Sequence, residues 1–74
     1  MAQVQITGWR PGFQKIAAIQ LLVESTSYGL KKSKDCVDDV LGGGQATIEL
    51  KDKADAERLA ARLEKVGAVV TVKP

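Results

Sequence analysis

The stretch that decides the fold is "FQKIAAIQLLVESTSYGLKKSKDCVDDVL", residues 13–41, because it contains two helical patterns with a short polar break between them. Residues 13–24 are mostly apolar and contain neither Gly nor Pro, which predicts a helix. Residues 30–41 place apolar side chains in one stripe, as an amphipathic helix does, and Gly42 ends the pattern. The break is "STSYG", residues 25–29. The sequence therefore predicts two successive helices near its centre.

Strand patterns lie on both sides of this pair. Residues 3–7, "QVQIT", and 45–50, "QATIEL", alternate polar and apolar side chains, and residues 68–72, "AVVTV", are rich in β-branched residues. Asp52 can cap a third helix over residues 53–66. The predicted order is β-α-α-β-α-β. It indicates an α+β two-layer sandwich, with a three-stranded antiparallel sheet covered on one face by three helices.

The bulk composition is typical of one small folded domain spanning residues 1–74. The chain is 45% hydrophobic and 27% charged, with a net charge of +2. No apolar run reaches the ~20 residues of a membrane span, and no secretory signal pattern opens the chain. One cysteine cannot form an internal disulfide, so we expect a reducing, cytoplasmic setting.

The composition also argues against catalysis. The chain has no histidine and one cysteine, which excludes His-dependent nucleophiles and Cys/His zinc sites. It lacks a phosphate-binding loop motif. Cys36 falls in the apolar stripe of the second helix and is interpreted as a small core residue, not a reactive thiol. We therefore predict a protein that is not an enzyme and needs no metal or cofactor.

The first helix is unusual because apolar side chains occur on every side of it. A domain of this size cannot bury a whole helix, so some of Ile16, Ile19 and Val23 should lie on the surface beside Lys15. A patch of exposed apolar groups usually marks an interaction site. The alternative is tight internal packing between the first two helices.

The second helix carries its charges in an unfavourable order. Three lysines lie near its beginning and three aspartates toward its end, whereas the helix dipole favours the reverse, by about 0.3–1 kcal/mol per charge. These residues are Lys31, Lys32, Lys34, Asp35, Asp38 and Asp39. We interpret the lysines as placed for a partner, with weak pairs from Lys31 to Asp35 and from Lys34 to Asp38 offsetting the cost. The alternative is that they are ordinary solvated charges.

The glycine run "GGG", residues 42–44, follows this helix. Glycine has no Cβ, and three in succession resist a single backbone conformation. The run therefore predicts a flexible joint between the second helix and the second strand.

Two parts of the chain resemble a known family. "KIAAIQLLVESTSYGLKKSKDCVD", residues 15–38, and "DAERLAARLEKVGAVVTVK", residues 55–73, are similar to the C-terminal domain of the bacterial ribosomal stalk protein. The Gly-Leu-Lys-x-x-Lys-Asp pattern beginning at Gly29 and the Glu-x-x-Gly-Ala pattern beginning at Glu64 carry the likeness. The resemblance implies the same β-α-α-β-α-β fold and a non-enzymatic domain that recruits GTP-hydrolysing translation factors.

The resemblance also implies where such a partner would bind. In the family the binding surface lies on the first two helices and combines exposed aliphatic residues with lysines. The matching positions are Lys15, Ile16, Ile19, Gly29, Leu30, Lys31 and Lys34. The expected partner is a translational GTPase or another acidic protein.

The chain departs from the family pattern at several places. The family usually has a basic residue at the positions of Gln20 and Val23, and an acidic one at Lys32. The loop "DVLGGGQAT", residues 39–47, is longer than its counterpart. The family's N-terminal dimerisation segment and alanine-rich hinge do not occur in these 74 residues. We therefore expect either a free-standing relative or a domain excised from a longer protein.

Other functions remain open at this stage. The same apolar face could be buried in a homodimer, making the chain a self-associating structural module. A protease adaptor shares the fold, but its pocket uses acidic residues and a histidine that this chain lacks. Nucleic-acid binding through Lys31, Lys32 and Lys34 is not expected, because aromatic residues are few and three aspartates follow at once.

Overall fold

The computed structural model describes residues 2–73 and confirms the predicted order of elements. Every predicted boundary lies within two residues of the observed one. The elements are β1 (Ala2–Trp9), α1 (Lys15–Ser25), α2 (Gly29–Leu41), β2 (Ala46–Leu50), α3 (Lys53–Lys65) and β3 (Ala68–Lys73).

The three strands form one antiparallel sheet in the order β2-β1-β3. Val4 of the central strand is opposite Ile48 of β2 and opposite Val72 of β3. Side chains alternate between the two faces of a sheet, so Val4 and Ile6 are buried against the helices while Gln3 and Gln5 lie on the other face. The predicted antiparallel sandwich is therefore confirmed.

The hydrophobic core lies between the sheet and the helices, and each layer supplies it with aliphatic side chains. Burial of this apolar surface is the main force that holds so short a chain in one fold. The largest fully buried apolar side chains are Val4, Leu22, Val37, Val40, Ile48, Leu59 and Leu63.

The glycine run ends α2 in a regular way. Gly43 has a φ of +96°, which favours glycine, and its N–H donates to the Val40 carbonyl. The Gly44 N–H donates to the Asp39 carbonyl at 2.8 Å, which completes a Schellman cap. The flexibility of residues 42–44 stays a prediction, but hydrogen bonds from all three of their amides to α2 favour a fixed turn over a loose joint.

Tyr28, in the segment that connects α1 to α2, is hydrogen-bonded to the sheet. Its hydroxyl lies 3.4 Å from the backbone nitrogen of Glu49, which donates to it, on the outer strand β2. Tyr28 itself packs against the hydrophobic core. This contact fixes the start of α2 relative to β2, and so positions the residues that begin α2.

Ser33 is a buried polar group without a hydrogen bond to any of residues 2–73, and the other buried residues of α2 are the apolar Val37 and Val40. We expect Ser33→Ala to raise the free energy of unfolding by about 1 kcal/mol, because alanine removes a buried hydroxyl that lacks a partner. Urea unfolding followed by circular dichroism measures the change. Ser27→Ala is the matched control, since Ser27 is exposed; a loss of stability in Ser33→Ala alone would show that the hydroxyl is hydrogen-bonded.

Candidate functional site

The first two helices run antiparallel and are joined by an ion pair. Lys15 Nζ, at the start of α1, lies 2.8 Å from Asp38 Oδ1, late in α2. Because both helices rise about 1.5 Å per residue, Val23, farther along α1, comes approximately level with Leu30 near the start of α2. The side of α1 that carries Lys15 therefore packs against the side of α2 that carries Asp38.

Three of the exposed large apolar side chains of residues 2–73 lie on these two helices. Ile16 is 67% exposed, Leu30 is 68% exposed and Val23 is 36% exposed. Lys31 and Lys34 are also exposed and lie on the same helix as Leu30. We call Ile16, Val23, Leu30, Lys31 and Lys34 the α1–α2 face. Exposure of Ile16 and Val23 agrees with the expectation for an all-round apolar helix.

Ile19 does not belong to this face, and the expectation that it lies on the surface is wrong. Its side chain is only 5% exposed and belongs to the core together with Ala18 and Leu22. The reason is its position on α1: one turn from Lys15, which contacts α2, and one turn from Leu22, which is fully buried. Packing of α2 against this side of α1 covers Ile19.

Leu30 shows the opposite outcome. Its spacing placed it in the apolar stripe of the second helix, whereas the resemblance placed it on the surface. The structure exposes it because it lies in the first turn of α2, directly after Gly29. Gly29 is itself exposed and has a φ of +77°, a backbone conformation that glycine adopts without strain.

The four lysines of the region differ in their contacts. Lys15 is bound to Asp38, and the Lys32 ammonium lies 4.0 Å from the centre of the Tyr28 ring in a cation–π contact. Lys31 and Lys34 make no ion pair within residues 2–73. The expected pairs from Lys31 to Asp35 and from Lys34 to Asp38 are therefore not formed.

The ion pair also changes the acidity of Asp38. The hydrogen bond from Lys15 lowers the pKa of this carboxyl below its ordinary value, and the positive charges of Lys15 and Lys34 act in the same direction. A lowered pKa in the folded state stabilises the fold above the unfolded-state pKa, and this stabilisation is lost as the pH falls through the lowered value. The hairpin contact is thus intact at neutral pH.

Cys36 is half-buried and packs against the core. Burial raises the pKa of its thiol; the nearby Lys32 opposes this effect, while Asp39 and Asp35 reinforce it. A raised pKa leaves little of the reactive thiolate at neutral pH, in agreement with an inert core residue.

A second apolar surface was not anticipated from the sequence. Ala17 and Leu21 of α1 face a groove against α3, lined also by Val66. Their spacing of four residues places them on one side of the helix, but the same spacing is typical of residues that pack fully against a neighbour. The signal was therefore present and could not be distinguished from ordinary core packing.

Residues 2–73 contain neither a membrane-spanning helix nor a metal-binding cluster of side chains. No helix in that part of the chain is long and apolar enough to cross a membrane. No group of three or more His, Cys, Asp or Glu residues is arranged to hold a metal ion there.

In the part of the chain that the structure describes, α1 and α2 each carry an exposed aliphatic side chain, and α2 also carries two exposed lysines without an ion pair. Exposed apolar groups of this kind often mark an interaction site. Residues 3–73 match the model of the ribosomal protein L7/L12 C-terminal domain family. The chain belongs to this family, and the resemblance found in the sequence is confirmed.

Individual relatives agree with this assignment. The large ribosomal subunit protein bL12 of Carboxydothermus hydrogenoformans is 48% identical over 63 residues, covering 85% of this chain and 47% of the relative. The bL12 protein of Dechloromonas aromatica is 44% identical over 70 residues, covering 95% of this chain and 53% of the relative. The chain thus spans about half the length of the curated relatives that it matches.

Proposed function

We propose that this domain is a non-enzymatic module of a bacterial ribosomal stalk that recruits a translational GTPase through the α1–α2 face. The observation that carries the proposal is the exposure of Ile16 and Leu30, at 67% and 68%, together with the exposure of Lys31 and Lys34 on α2. Its relatives are named large ribosomal subunit proteins, which supports a role on the ribosome in the cytoplasm.

The two kinds of residue have different tasks in this proposal. Ile16 and Leu30 supply the affinity, because burying apolar groups at the centre of an interface stabilises the complex most. Lys31 and Lys34 attract an acidic partner and speed association, since exposed charges act mainly on the rate of encounter. Lys15, bound to Asp38, contributes less charge but holds α1 and α2 in register.

The uncharged positions on α1 shape the expected interaction. Gln20 and Val23, which replace basic residues of the family pattern, are both exposed. With two fewer positive charges, the α1–α2 face depends more on its apolar contacts and less on attraction at long range. We therefore propose a complex whose affinity falls less steeply with salt than that of a relative with both basic residues.

The proposal is tested by titrating the domain with a purified bacterial translational GTPase bound to GTP. We expect Ile16→Asp to weaken binding about tenfold or more, because it places an unpaired carboxylate in an apolar contact. Thr47→Asp is the matched control, since Thr47 is exposed on the outer face of the sheet and should leave binding unchanged. Equal binding by Ile16→Asp and the unmodified domain would overturn the proposal.

In the same titration, Lys34→Ala tests the role of the lysines in association separately from the role of the apolar residues in affinity. It should slow association and reduce the salt dependence, while Lys51→Ala, which removes an exposed lysine outside the face, should not. The molar mass of the free domain in solution tests the alternative, in which the same face is buried in a homodimer. A stable dimer that Ile16→Asp converts to a monomer would show that the face is a contact between copies.

A further inference from the structure

A groove lies between α1 and α3, on the side of α1 away from α2. Its floor consists of three half-buried apolar residues, Ala17, Leu21 and Val66. Ile16 and Ala17 are about 100° apart around α1. The floor of the groove therefore lies on a different side of α1 from Ile16, with Gln20 between the two. Its existence does not rest on the proposed role in factor recruitment.

The volume of the groove limits what it can hold. It measures about 290 Å³, just below the ~300–1,000 Å³ typical of small-molecule pockets. It is open to solvent. A space of this kind suits one or two apolar side chains of a protein segment better than an enclosed ligand.

Charges on the rim indicate the polarity of that segment. Arg62 and Lys65 form the α3 side, are exposed, and make no ion pair within residues 2–73. Both lie in the last turn of α3, where positive charge also stabilises the helix dipole. The dipole does not account for an uncovered apolar floor next to them. Two cations beside an apolar floor complement a carboxylate adjacent to an apolar side chain.

The α1 side of the rim carries no positive charge, so the two sides of the groove differ in charge and an occupant should bind in one orientation. Glu24 and Gln20 line the groove from α1, whereas Arg62 and Lys65 line it from α3. A carboxylate near Glu24 would be repelled, so the acidic residues of the occupant should lie toward α3 and its neutral or basic residues toward α1.

We infer that this groove is a second docking site, which binds a short acidic segment of a partner protein by one or two large apolar side chains. The apolar floor of α1 holds those side chains, and Arg62 and Lys65 bind the adjacent carboxylates. The site also accounts for the all-round apolar character of α1. One side of this helix is buried in the core, a second belongs to the α1–α2 face, and a third forms the floor of this groove.

The test uses an isotope-labelled domain and a short amidated peptide whose apolar residues are Leu and Phe and whose charged residues are Asp and Glu. We expect saturable chemical-shift changes centred on Ala17, Leu21 and Val66. Replacing Arg62 and Lys65 together by Gln should weaken binding about three- to tenfold, as expected for exposed charge pairs. The matched peptide with Asn and Gln in place of Asp and Glu should bind more weakly by a similar factor.

Lys53→Gln is the control variant, because Lys53 is an exposed lysine at the other end of α3; it should leave binding unchanged. Shift changes centred on Ile16 and Leu30 would overturn the inference, since the peptide would then occupy the α1–α2 face. It would equally be overturned by absence of saturable binding, or by equal affinity of both peptides.

Discussion

Ile19→Asp is expected to unfold the domain, although Ile19 occurs in the helix that carries the proposed binding residues. The new carboxylate would be placed in the core without a partner, where the side chain it replaces is 5% exposed. Burying an unpaired charge costs about 4 kcal/mol or more. A chain of 74 residues has a total stability of roughly 4–11 kcal/mol. One substitution can therefore remove most of the stability.

The matched variant is Ile16→Asp, three residues earlier on the same helix. Ile16 is 67% exposed, so its replacement should change the free energy of unfolding by about 0.5 kcal/mol or less. Ile19→Ala should lie between the two, at about 2–5 kcal/mol, because it leaves a cavity but no charge. Urea unfolding followed by circular dichroism ranks all three. A folded Ile19→Asp with an unchanged midpoint would contradict the burial of Ile19.

This contrast decides which variants can test function. Loss of binding in Ile19→Asp would report an unfolded domain and carry no information about the α1–α2 face. Ile16→Asp changes the surface and leaves the core intact, so its effect on binding reports the contact itself.

Gly67→Ala is expected to destabilise the domain by about 2–5 kcal/mol for two reasons that add. Gly67 has a φ of +99°, which costs any other L-residue energy. In addition, an alanine Cβ would lie 2.9 Å from the Phe13 Cα and 3.3 Å from the Phe13 nitrogen. Backbone atoms cannot move aside as a flexible side chain can.

The surroundings make the close approach hard to relieve. The Arg10 N–H donates to the Gly67 carbonyl, and the Gln14 N–H donates to the Val66 carbonyl, both at 2.8 Å. These bonds hold residues 10–14 against the turn between α3 and β3. A displaced Phe13 would therefore break hydrogen bonds or shift the start of α1, which carries Lys15 and Ile16.

Gly43→Ala separates strain from contact. Gly43 has a similar φ of +96°, but an added Cβ would have no atom of residues 2–73 within 4 Å. It should lose only about 1–2 kcal/mol. In thermal unfolding, Gly67→Ala should lower the melting temperature by about 10 °C or more and clearly further than Gly43→Ala. Equal shifts would show that Phe13 moves away at little cost.

The elements of this fold could be predicted because their signals are local. Alternation in β1 and β2, the apolar stripe of α3 and the glycines after α2 and α3 depend on neighbours within a few residues. Such patterns predicted all six elements and, with the rule that apolar faces must be covered, the two-layer arrangement.

The sidedness of α1 could not be predicted in the same way. Ile16, Ile19 and Val23 form one group by spacing, yet the structure buries the second and exposes the other two. The packing angle and distance of α2 decide which residue is covered. Those quantities depend on contacts between residues far apart in the chain, which a periodicity does not contain.

The charges of the hairpin illustrate the same limit. The sequence by itself determined that three lysines precede three aspartates in α2, and that this order opposes the helix dipole. Only the tertiary structure decided that Asp38 pairs with Lys15 of α1, and that Lys31 and Lys34 have no ion pair within residues 2–73. The physical reason is distance: a charge pairs with whichever opposite charge the fold brings within a few ångströms, and only packing of α1 on α2 brings Lys15 to Asp38.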